Sequence, residues 1–114
     1  MARSKKSSTA QSDESTIHEA TCVAGGGVAK GAVISEQDAV KHRQNDGDVV
    51  VCGPSLRKNR AMARMIEQQA SGTYEMHQPH TETAGQDALP HFQPKPRNGR
   101  EGHTFYETPN RKAK

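Results

Sequence analysis

The amino-acid sequence predicts a small α+β domain in which two helices pack on a short sheet of two or three strands. Residues 48–52 contain three consecutive valines between polar and turn residues, a pattern typical of a buried strand. Residues 55–70 place apolar side chains on one stripe of a helix. Only 31% of the 114 residues are hydrophobic and 4% are aromatic, so the core must be small.

The N-terminal region predicts no folded element. Its first 20 residues are mostly Ser, Thr, Lys, Gln, Asp and Glu with one isoleucine, a composition that cannot bury enough apolar surface to order itself. The glycines at 25–27 and 31 lack the Gly-Lys-Ser/Thr ending of a phosphate-binding loop and indicate a flexible linker. We therefore predict a disordered polar arm and linker over residues 1–32, followed by a folded module over residues 33–112.

Two helices and one strand have clear local signals. Ser35, with Asp38 three positions later, predicts the start of a helix over residues 36–44 that turns Ala39 and Val40 inward. Asn45-Asp46-Gly47 ends that helix before the strand at 48–52. Ser55 then starts the second helix, and Ser71-Gly72 ends it. Its apolar stripe consists of Leu56, Ala63, Ile66 and Ala70, flanked by Met62 and Met65.

The region after the second helix is rich in proline and glycine. Residues 72–102 predict a long irregular loop that lies over the strand and helix, because prolines and glycines interrupt regular elements. Residues 103–107 contain strand-forming side chains and are expected to pair beside residues 49–52.

Composition also limits the compartment and the partners. No run of 18 apolar residues exists and no apolar stretch follows Met1, so we expect neither a membrane segment nor a secretion signal. Cys22 and Cys52 are therefore expected to be reduced thiols in the cytoplasm. Residues 95–114 hold six basic and two acidic side chains, a net charge of +4, which favours a polyanionic partner or is simply a solvated tail.

Four histidines and several cations crowd the last third of the chain. Hydrolysis of a phosphodiester needs a base near neutral pKa, an acid for the leaving oxygen and cations for the developing charge, and histidine can supply both proton roles. We predict His91 and His103 as the acid-base pair, Arg97 and Arg100 as phosphate ligands, and Tyr106 as an auxiliary donor. The alternative is that these histidines are merely exposed on a polar loop.

The second helix begins with Arg57, Lys58 and Arg60. Positive side chains are unfavourable at a helix N-terminus unless an anion is bound, so these residues are candidate phosphate ligands, or else they point into water. Cys52, at a strand-to-helix turn, resembles a phosphatase nucleophile only in position, because Lys58 stands where that chemistry needs arginine. We interpret Cys52 as a small apolar residue at the end of a buried strand.

A metal centre is not predicted. His77 and His80, three residues apart, could share an ion with His91 or His103, but Pro79 argues against a helix that would align the rings. No Cys-x-x-Cys or His-Glu-x-x-His pattern accompanies them. The predicted chemistry therefore uses no metal and no other cofactor.

Several short motifs suggest a family. The runs at 47–53, 79–80, 88–94 and 102–107, the last reading Gly-His-Thr-Phe-Tyr-Glu, together with Asn59-Arg60 and Ile66-Glu67, resemble the C-terminal modules of bacterial polymorphic, repeat-associated secreted toxins. The resemblance spans residues 33 to about 112. It implies a nuclease acting on RNA or DNA, with an immunity-type protein as partner, and secretion only as part of a larger delivery system.

The sequence therefore favours a toxin-like module that cleaves nucleic acid by metal-independent histidine catalysis. The rival interpretation is a non-catalytic module that binds protein or nucleic acid through its second helix and proline-rich loop, or an inactive relic of a toxin tip. No membrane partner is expected, because the second helix has methionine and alanine where membrane insertion favours larger apolar side chains. The sequence makes no prediction of oligomeric state.

Overall fold

A computed structural model describes residues 14–23, 27–78 and 88–114. These residues form six strands and two helices. The elements are β1 (Thr16–Cys22), β2 (Val28–Val33), α1 (Glu36–Gln44), β3 (Asp48–Cys52), α2 (Leu56–Ser71), β4 (Tyr74–His77), β5 (His91–Pro94) and β6 (Thr104–Tyr106). No helix of this part of the chain is long and apolar enough to cross a bilayer.

All six strands belong to one mixed sheet with the order β2-β1-β3-β6-β5-β4. β3 and β6 run parallel, and the other neighbours are antiparallel. The predicted sheet of two or three strands is therefore wrong, although the α+β class and the two helices are as expected. Three of the strands beyond that prediction contain few apolar residues. They form because they pair with neighbouring strands of the sheet, and their own composition does not specify a strand.

Part of residues 1–32 is folded, in contrast to the disordered arm and linker that the composition predicts. β1 and β2 both lie inside that range. Ile17 pairs with Val51 of β3 and is buried, while Thr16 and Glu19 of the same strand are exposed. One buried isoleucine is enough because β1 obtains its backbone partners from two neighbouring strands. The predicted disorder of residues 1–13 lies outside the described residues.

The irregular loop predicted over residues 72–102 also contains strands. β4 and β5 pair within it, with Met76 opposite Phe92 and His77 opposite His91. Proline does not prevent this pairing, because Pro94 is the last residue of β5, and proline is tolerated at strand ends. The part of the predicted loop at residues 79–87 lies outside the described residues.

The elements with strong local signals are confirmed. The Ser35 hydroxyl accepts a hydrogen bond from the Asp38 amide at 3.1 Å, and the Ser55 hydroxyl accepts one from the Lys58 amide at 3.2 Å, so both predicted N-caps are present. Gly72 caps α2 at its C-terminus. β6 pairs with β3 as expected, with Val50 opposite Phe105.

The sheet separates two apolar clusters. Both helices cover one face, where the core consists of Ile17, Ala39, Val49, Val51, Ala63, Ile66, Phe92 and Tyr106. The opposite face carries a smaller cluster of Val28, Val50, Cys52, Leu89 and Phe105. The C-terminal residues 107–114 lie over part of this second face, where the Lys114 amide donates to the Val28 carbonyl at 2.7 Å. We call it the helix-free face, and the side chains of Asp48, Val50, His91 and Phe105 point to it.

A buried ion pair joins the two helices to β6. Arg43 and Glu67 are fully buried, and the Arg43 Nε donates to Glu67 Oε1 at 2.9 Å and to Thr104 Oγ1 at 3.1 Å. Arg43 Nη1 also donates to the carbonyl oxygens of Gly47 at 2.8 Å and Glu101 at 3.0 Å. This network fixes the segment that leads into β6, and so fixes the position of His103.

Candidate functional site

Three histidines meet on the helix-free face, at the junction of β4, β5 and β6. The pairing of His77 with His91 places their rings side by side, with centroids 5.3 Å apart and nearly parallel planes. His103 precedes β6, and its ring lies edge-on to that of His91 at 4.7 Å. Phe105 contacts both His91 and His103. We call His77, His91 and His103 the histidine array.

His103 is paired with a carboxylate. Its Nδ1 lies 3.1 Å from Asp48 Oδ1, and the same oxygen accepts the His103 backbone amide at 2.7 Å. Burial of Asp48 would raise the pKa of its carboxyl, but the hydrogen bonds and charge of His103 outweigh burial and lower the pKa below its ordinary value. Asp48 is therefore an anion that orients the His103 ring and leaves Nε2 pointing away from the pair.

His91 lies in the middle of the array and is only 9% exposed. Burial, followed by the positive charge of a protonated His103, lowers the pKa of His91 to about 4. Its Nδ1 lies 3.4 Å from the Leu89 carbonyl oxygen, a contact that favours a proton on Nδ1 and an unprotonated Nε2. The ring also has a hydrogen bond with the Gln93 side chain. His91 is therefore a neutral imidazole at physiological pH.

His77 completes the array on the side away from His103. Its Nε2 lies 3.1 Å from Glu75 Oε2, and both side chains are about one-third exposed. Two partly exposed histidine-carboxylate pairs thus stand on either side of the buried, neutral His91. The imidazoles and carboxylates of this surface can accept, hold and donate protons, and they lie within a few ångströms of one another.

The predicted phosphate ligands Arg97 and Arg100 lie beside the array. An open groove of about 360 Å³ is lined by Arg97, Gly99, Arg100, Glu101, Gly102 and His103. Arg100 is anchored, because its Nε donates to Asp46 Oδ1 at 2.9 Å and its Nη2 donates to the Arg43 carbonyl oxygen at 2.8 Å. Arg97 is exposed on the turn before it. The groove therefore brings Arg97 and Arg100 next to His103, and His91 is not among the residues that line it. The Arg100 guanidinium turns toward the helix ends, where its Nη1 donates to Ser71 Oγ at 3.4 Å.

Tyr106 is not part of this group. It lies on the helix-covered face, is 1% exposed, and donates its hydroxyl to the Met76 sulfur at 3.2 Å. Adjacent strand residues point to opposite faces, so Phe105 and not Tyr106 is the neighbour of His91. The strand predicted at 103–107 is present at Thr104–Tyr106, and its alternation places Tyr106 on the face opposite His91.

Arg57, Lys58 and Arg60 are also distant from the array, because α2 covers the other face of the sheet. Arg57 and Arg60 join Arg64 in lining a second groove of about 600 Å³ along the helix surface. All three arginines are exposed, and Arg60 lies 6.0 Å from the centre of the Tyr106 ring. They form a separate cationic surface, which we call the α2 arginine surface.

Cys52 is confirmed as a buried strand residue, 5% exposed. Burial, with the nearby Glu107 carboxylate, raises the pKa of its thiol to about 12, so it carries no thiolate for nucleophilic attack. His80, the remaining member of the four predicted histidines, lies outside the described residues.

The sequence alone does not indicate Asp48 and Glu75 as partners of the histidines, and it does not single out His77 as part of the site. Asp48 and His103 are 55 positions apart, and only the parallel pairing of β3 with β6 brings them together. Alternation along residues 74–77 and 91–94 is the one local signal that could have placed Glu75, His77 and His91 on one face.

Comparisons of this chain with protein-family models, with curated proteins and with solved structures found no match. The chemistry of the site is therefore interpreted from its own geometry.

Proposed function

We propose that this chain is a toxin-like module that cleaves phosphodiester bonds of nucleic acid by histidine acid-base catalysis, without an obligatory metal. The observation that carries this proposal is the contact between a neutral His91 and a His103 paired with Asp48, beside an arginine-lined groove. Two adjacent groups whose environments differ in this way are suited to opposite proton roles.

His91 is the base in this mechanism. Its low pKa keeps the ring unprotonated at neutral pH, so Nε2 is free of a proton and able to accept one. With a pKa of about 4, His91 is a weak base. Because little of its side chain is exposed, only a group that approaches from the helix-free face can reach it.

His103 is the acid. The Asp48 carboxylate faces its Nδ1 and compensates the positive charge of the imidazolium, while the opposite nitrogen delivers the proton to the leaving oxygen. Arg97 and the anchored Arg100 line the same groove and would hold the negative phosphate against His103. His77, stacked on His91 and paired with Glu75, positions the base.

This chemistry selects RNA over DNA. Acid-base catalysis without a metal is favoured by a nucleophile within the substrate, and the ribose 2′-hydroxyl is adjacent to the phosphorus in RNA. His91 takes the proton of that hydroxyl, the oxygen attacks phosphorus, and His103 protonates the departing 5′-oxygen. The products are a 2′,3′-cyclic phosphate and a free 5′-hydroxyl.

The test is cleavage of RNA by the purified chain in the presence of EDTA. We expect His91→Gln, His103→Gln and the double variant His91→Ala/His103→Ala to lose cleavage by about 10²-fold or more, the usual contribution of a positioned acid or base. His18→Gln is the matched control, because His18 lies on β1 and contacts Thr16 and Gly31 rather than the array. Circular dichroism confirms that each variant is folded. Cleavage retained by a folded double variant sinks the proposal.

A second candidate is binding without cleavage, which the α2 arginine surface favours. Three exposed arginines line one groove on a rigid helix, an arrangement suited to contacts with successive phosphates. The triple variant Arg57→Gln/Arg60→Gln/Arg64→Gln should then reduce the salt dependence of nucleic-acid binding and leave the histidine variants binding normally. If the chain is a toxin, an immunity-type protein is its expected partner, and that protein should cover the histidine array.

A further inference from the structure

Three side chains of different elements converge at one end of the sheet, beside the histidine array. Cys22 ends β1, Asp48 begins β3, and His103 precedes β6. These three strands are neighbours in the sheet, and the antiparallel direction of β1 brings its last residue to the end at which β3 and β6 begin. One donor atom from each side chain lies within 4.8 Å of the other two.

The spacing of these atoms is close to that of a metal coordination sphere. His103 Nδ1 lies 3.1 Å from Asp48 Oδ1, and Cys22 Sγ lies 3.9 Å from Asp48 Oδ2. Zinc binds sulfur at about 2.3 Å and nitrogen or oxygen at about 2.0–2.2 Å, so a tetrahedral ion holds its donors roughly 3.3–3.7 Å apart. The three atoms already lie within 4.8 Å of one another, so a contraction of roughly 1 Å brings them to these distances.

The donor types indicate which ion fits. A thiolate, an imidazole and a carboxylate suit zinc, whereas magnesium and calcium prefer oxygen donors alone. Cys22 is exposed, and Asp48 and His103 are half-buried, so an ion can enter from solvent. Without an ion, the Cys22 thiol donates a weak hydrogen bond to Asp48 Oδ2 at 3.9 Å. A divalent cation displaces that proton, and the thiolate and the carboxylate then both bind the ion.

We propose that Cys22, Asp48 and His103 bind a zinc ion, with the fourth coordination position open to water or to an anionic ligand. The site does not depend on the nuclease proposal for its existence. One consequence does rest on it: a His103 that coordinates zinc cannot protonate a leaving oxygen, and an Asp48 that coordinates zinc cannot orient His103. Zinc is therefore an inhibitor of the proposed cleavage, and Cys22 makes the catalytic face sensitive to it.

The test is titration of the full, untagged chain with Co²⁺, whose tetrahedral thiolate complexes absorb in the near ultraviolet, followed by displacement with Zn²⁺. We expect one equivalent of Co²⁺ to produce the thiolate charge-transfer band, and one equivalent of Zn²⁺ to remove it. Cys22→Ser should abolish the band. Asp48→Asn and His103→Gln should each weaken Zn²⁺ binding by at least about tenfold, the loss seen even for residues that only support a ligand.

Cys52→Ala and His18→Gln are the matched controls, because Cys52 is buried under the C-terminal residues and His18 lies two side chains back along β1. Both should bind Co²⁺ and Zn²⁺ like the native chain. Absence of the band, or a band that persists in Cys22→Ser and disappears in Cys52→Ala, overturns the proposal.

Two separate measurements distinguish the nuclease proposal from the metal-site proposal. Cleavage in EDTA tests the nuclease alone, and the cobalt band, recorded without RNA, tests the metal site alone. If both hold, Zn²⁺ should reduce cleavage by the native chain, and the ratio of cleavage in Zn²⁺ to cleavage in EDTA should rise toward one in Cys22→Ser. A native chain that binds Zn²⁺ at these residues and cleaves equally well contradicts the inhibitory consequence.

Discussion

At the scale of the residue, the chemistry depends on the unequal environments of His91 and His103. The two rings are in contact, yet one is buried among rings and the other faces a carboxylate. Burial disfavours a charge on His91, whereas Asp48 compensates a charge on His103. In the proposed mechanism, this difference in environment makes His103 the acid and His91 the base, although the two side chains are chemically identical.

The lowered pKa of His91 has a consequence for stability. The unfolded chain takes up a proton at this histidine near its ordinary pKa of 6.5, and the folded chain does so only near 4. The free energy of unfolding should therefore fall as pH decreases from about 6.5 to 4, by up to about 3 kcal/mol, and stop falling from this cause below 4.

Urea unfolding at several pH values measures this effect. His91→Gln removes the titrating group at a similar volume, so the decline between pH 6.5 and 4 should become smaller by that amount. Equal declines in the native chain and the variant would show that His91 is not held neutral in the folded state.

Gly102 lies in the segment that carries His103. Its φ is +87°, and an added Cβ would lie 2.8 Å from the carbonyl oxygens of both Asp46 and Gly47. Gly99 has a φ of +84° but has nothing within 4 Å of such a Cβ. Both positions carry the backbone strain of a left-handed alanine, about 1–2 kcal/mol, and only Gly102 adds a steric clash.

We therefore expect Gly102→Ala to lower the free energy of unfolding by clearly more than Gly99→Ala does. Chemical denaturation of both variants in parallel gives the comparison. A Gly102→Ala variant that loses no more than Gly99→Ala would mean that the turn can move away from Asp46 and Gly47.

At the scale of the element, the buried pair of Arg43 and Glu67 ties α1, α2 and β6 together. Glu67 also accepts hydrogen bonds from the hydroxyls of Thr104 and Ser71. Removing one partner leaves the other as an uncompensated buried charge, whereas removing both leaves an apolar contact between the two helices.

Arg43→Met and Glu67→Leu should each lower the free energy of unfolding by about 3–5 kcal/mol. The double variant should lose less than the sum of the two single losses, because neither charge is then left alone. Equilibrium unfolding of the four proteins tests the coupling, and single losses under about 1 kcal/mol would contradict it.

The elements also show which parts of the fold can be predicted. α1, α2 and β3 have local signals: a serine at each N-cap, glycine after each helix, and three valines in a row. β1 and β5 have no such signal, since Thr16–Cys22 contains one large apolar residue and His91–Pro94 ends in proline. Their strand character comes from partners distant in sequence, and a short polar segment does not encode its partner.

The candidate site follows the same pattern. His91, His103, Arg97 and Arg100 could be selected because they are close in sequence and chemically suited to phosphate. Asp48, which orients His103, and Cys22, the third member of the proposed zinc site, could not be selected because sheet pairing alone brings them there. Tyr106 was selected by proximity, and the alternation of β6 turns it to the other face.

At the scale of the whole molecule, the two faces of one sheet have different roles. The helices α1 and α2 cover one face, where the larger core lies between them and the sheet, and α2 carries an arginine surface on its outer side. The other face has a smaller core under the C-terminal residues and exposes the histidine array at one end. The site is thus built on strands, whose pairing fixes the array more closely than a loop could.

The basic tail is part of this architecture. Residues 107–114 pack against the helix-free face, where the Ala113 amide donates to Glu107 Oε2 at 2.8 Å and the Lys30 amide donates to the Lys114 carbonyl oxygen at 3.1 Å. Ala113 contacts the apolar cluster of that face, and Arg111 Nη1 donates to the Ala88 carbonyl oxygen at 3.0 Å, three residues before His91. Charge held on that side would draw a polyanion toward the array.

The most direct test of the central claim uses a DNA oligonucleotide that contains a single ribonucleotide, incubated with the native chain in EDTA. The mechanism predicts one cut, immediately 3′ to the ribonucleotide, with a 2′,3′-cyclic phosphate on the upstream product, no cut in the all-DNA strand, and no product with His91→Ala/His103→Ala. Cleavage of the all-DNA strand, or cleavage at the ribonucleotide by that folded double variant, would contradict a mechanism in which His91 activates the 2′-hydroxyl and His103 protonates the leaving oxygen.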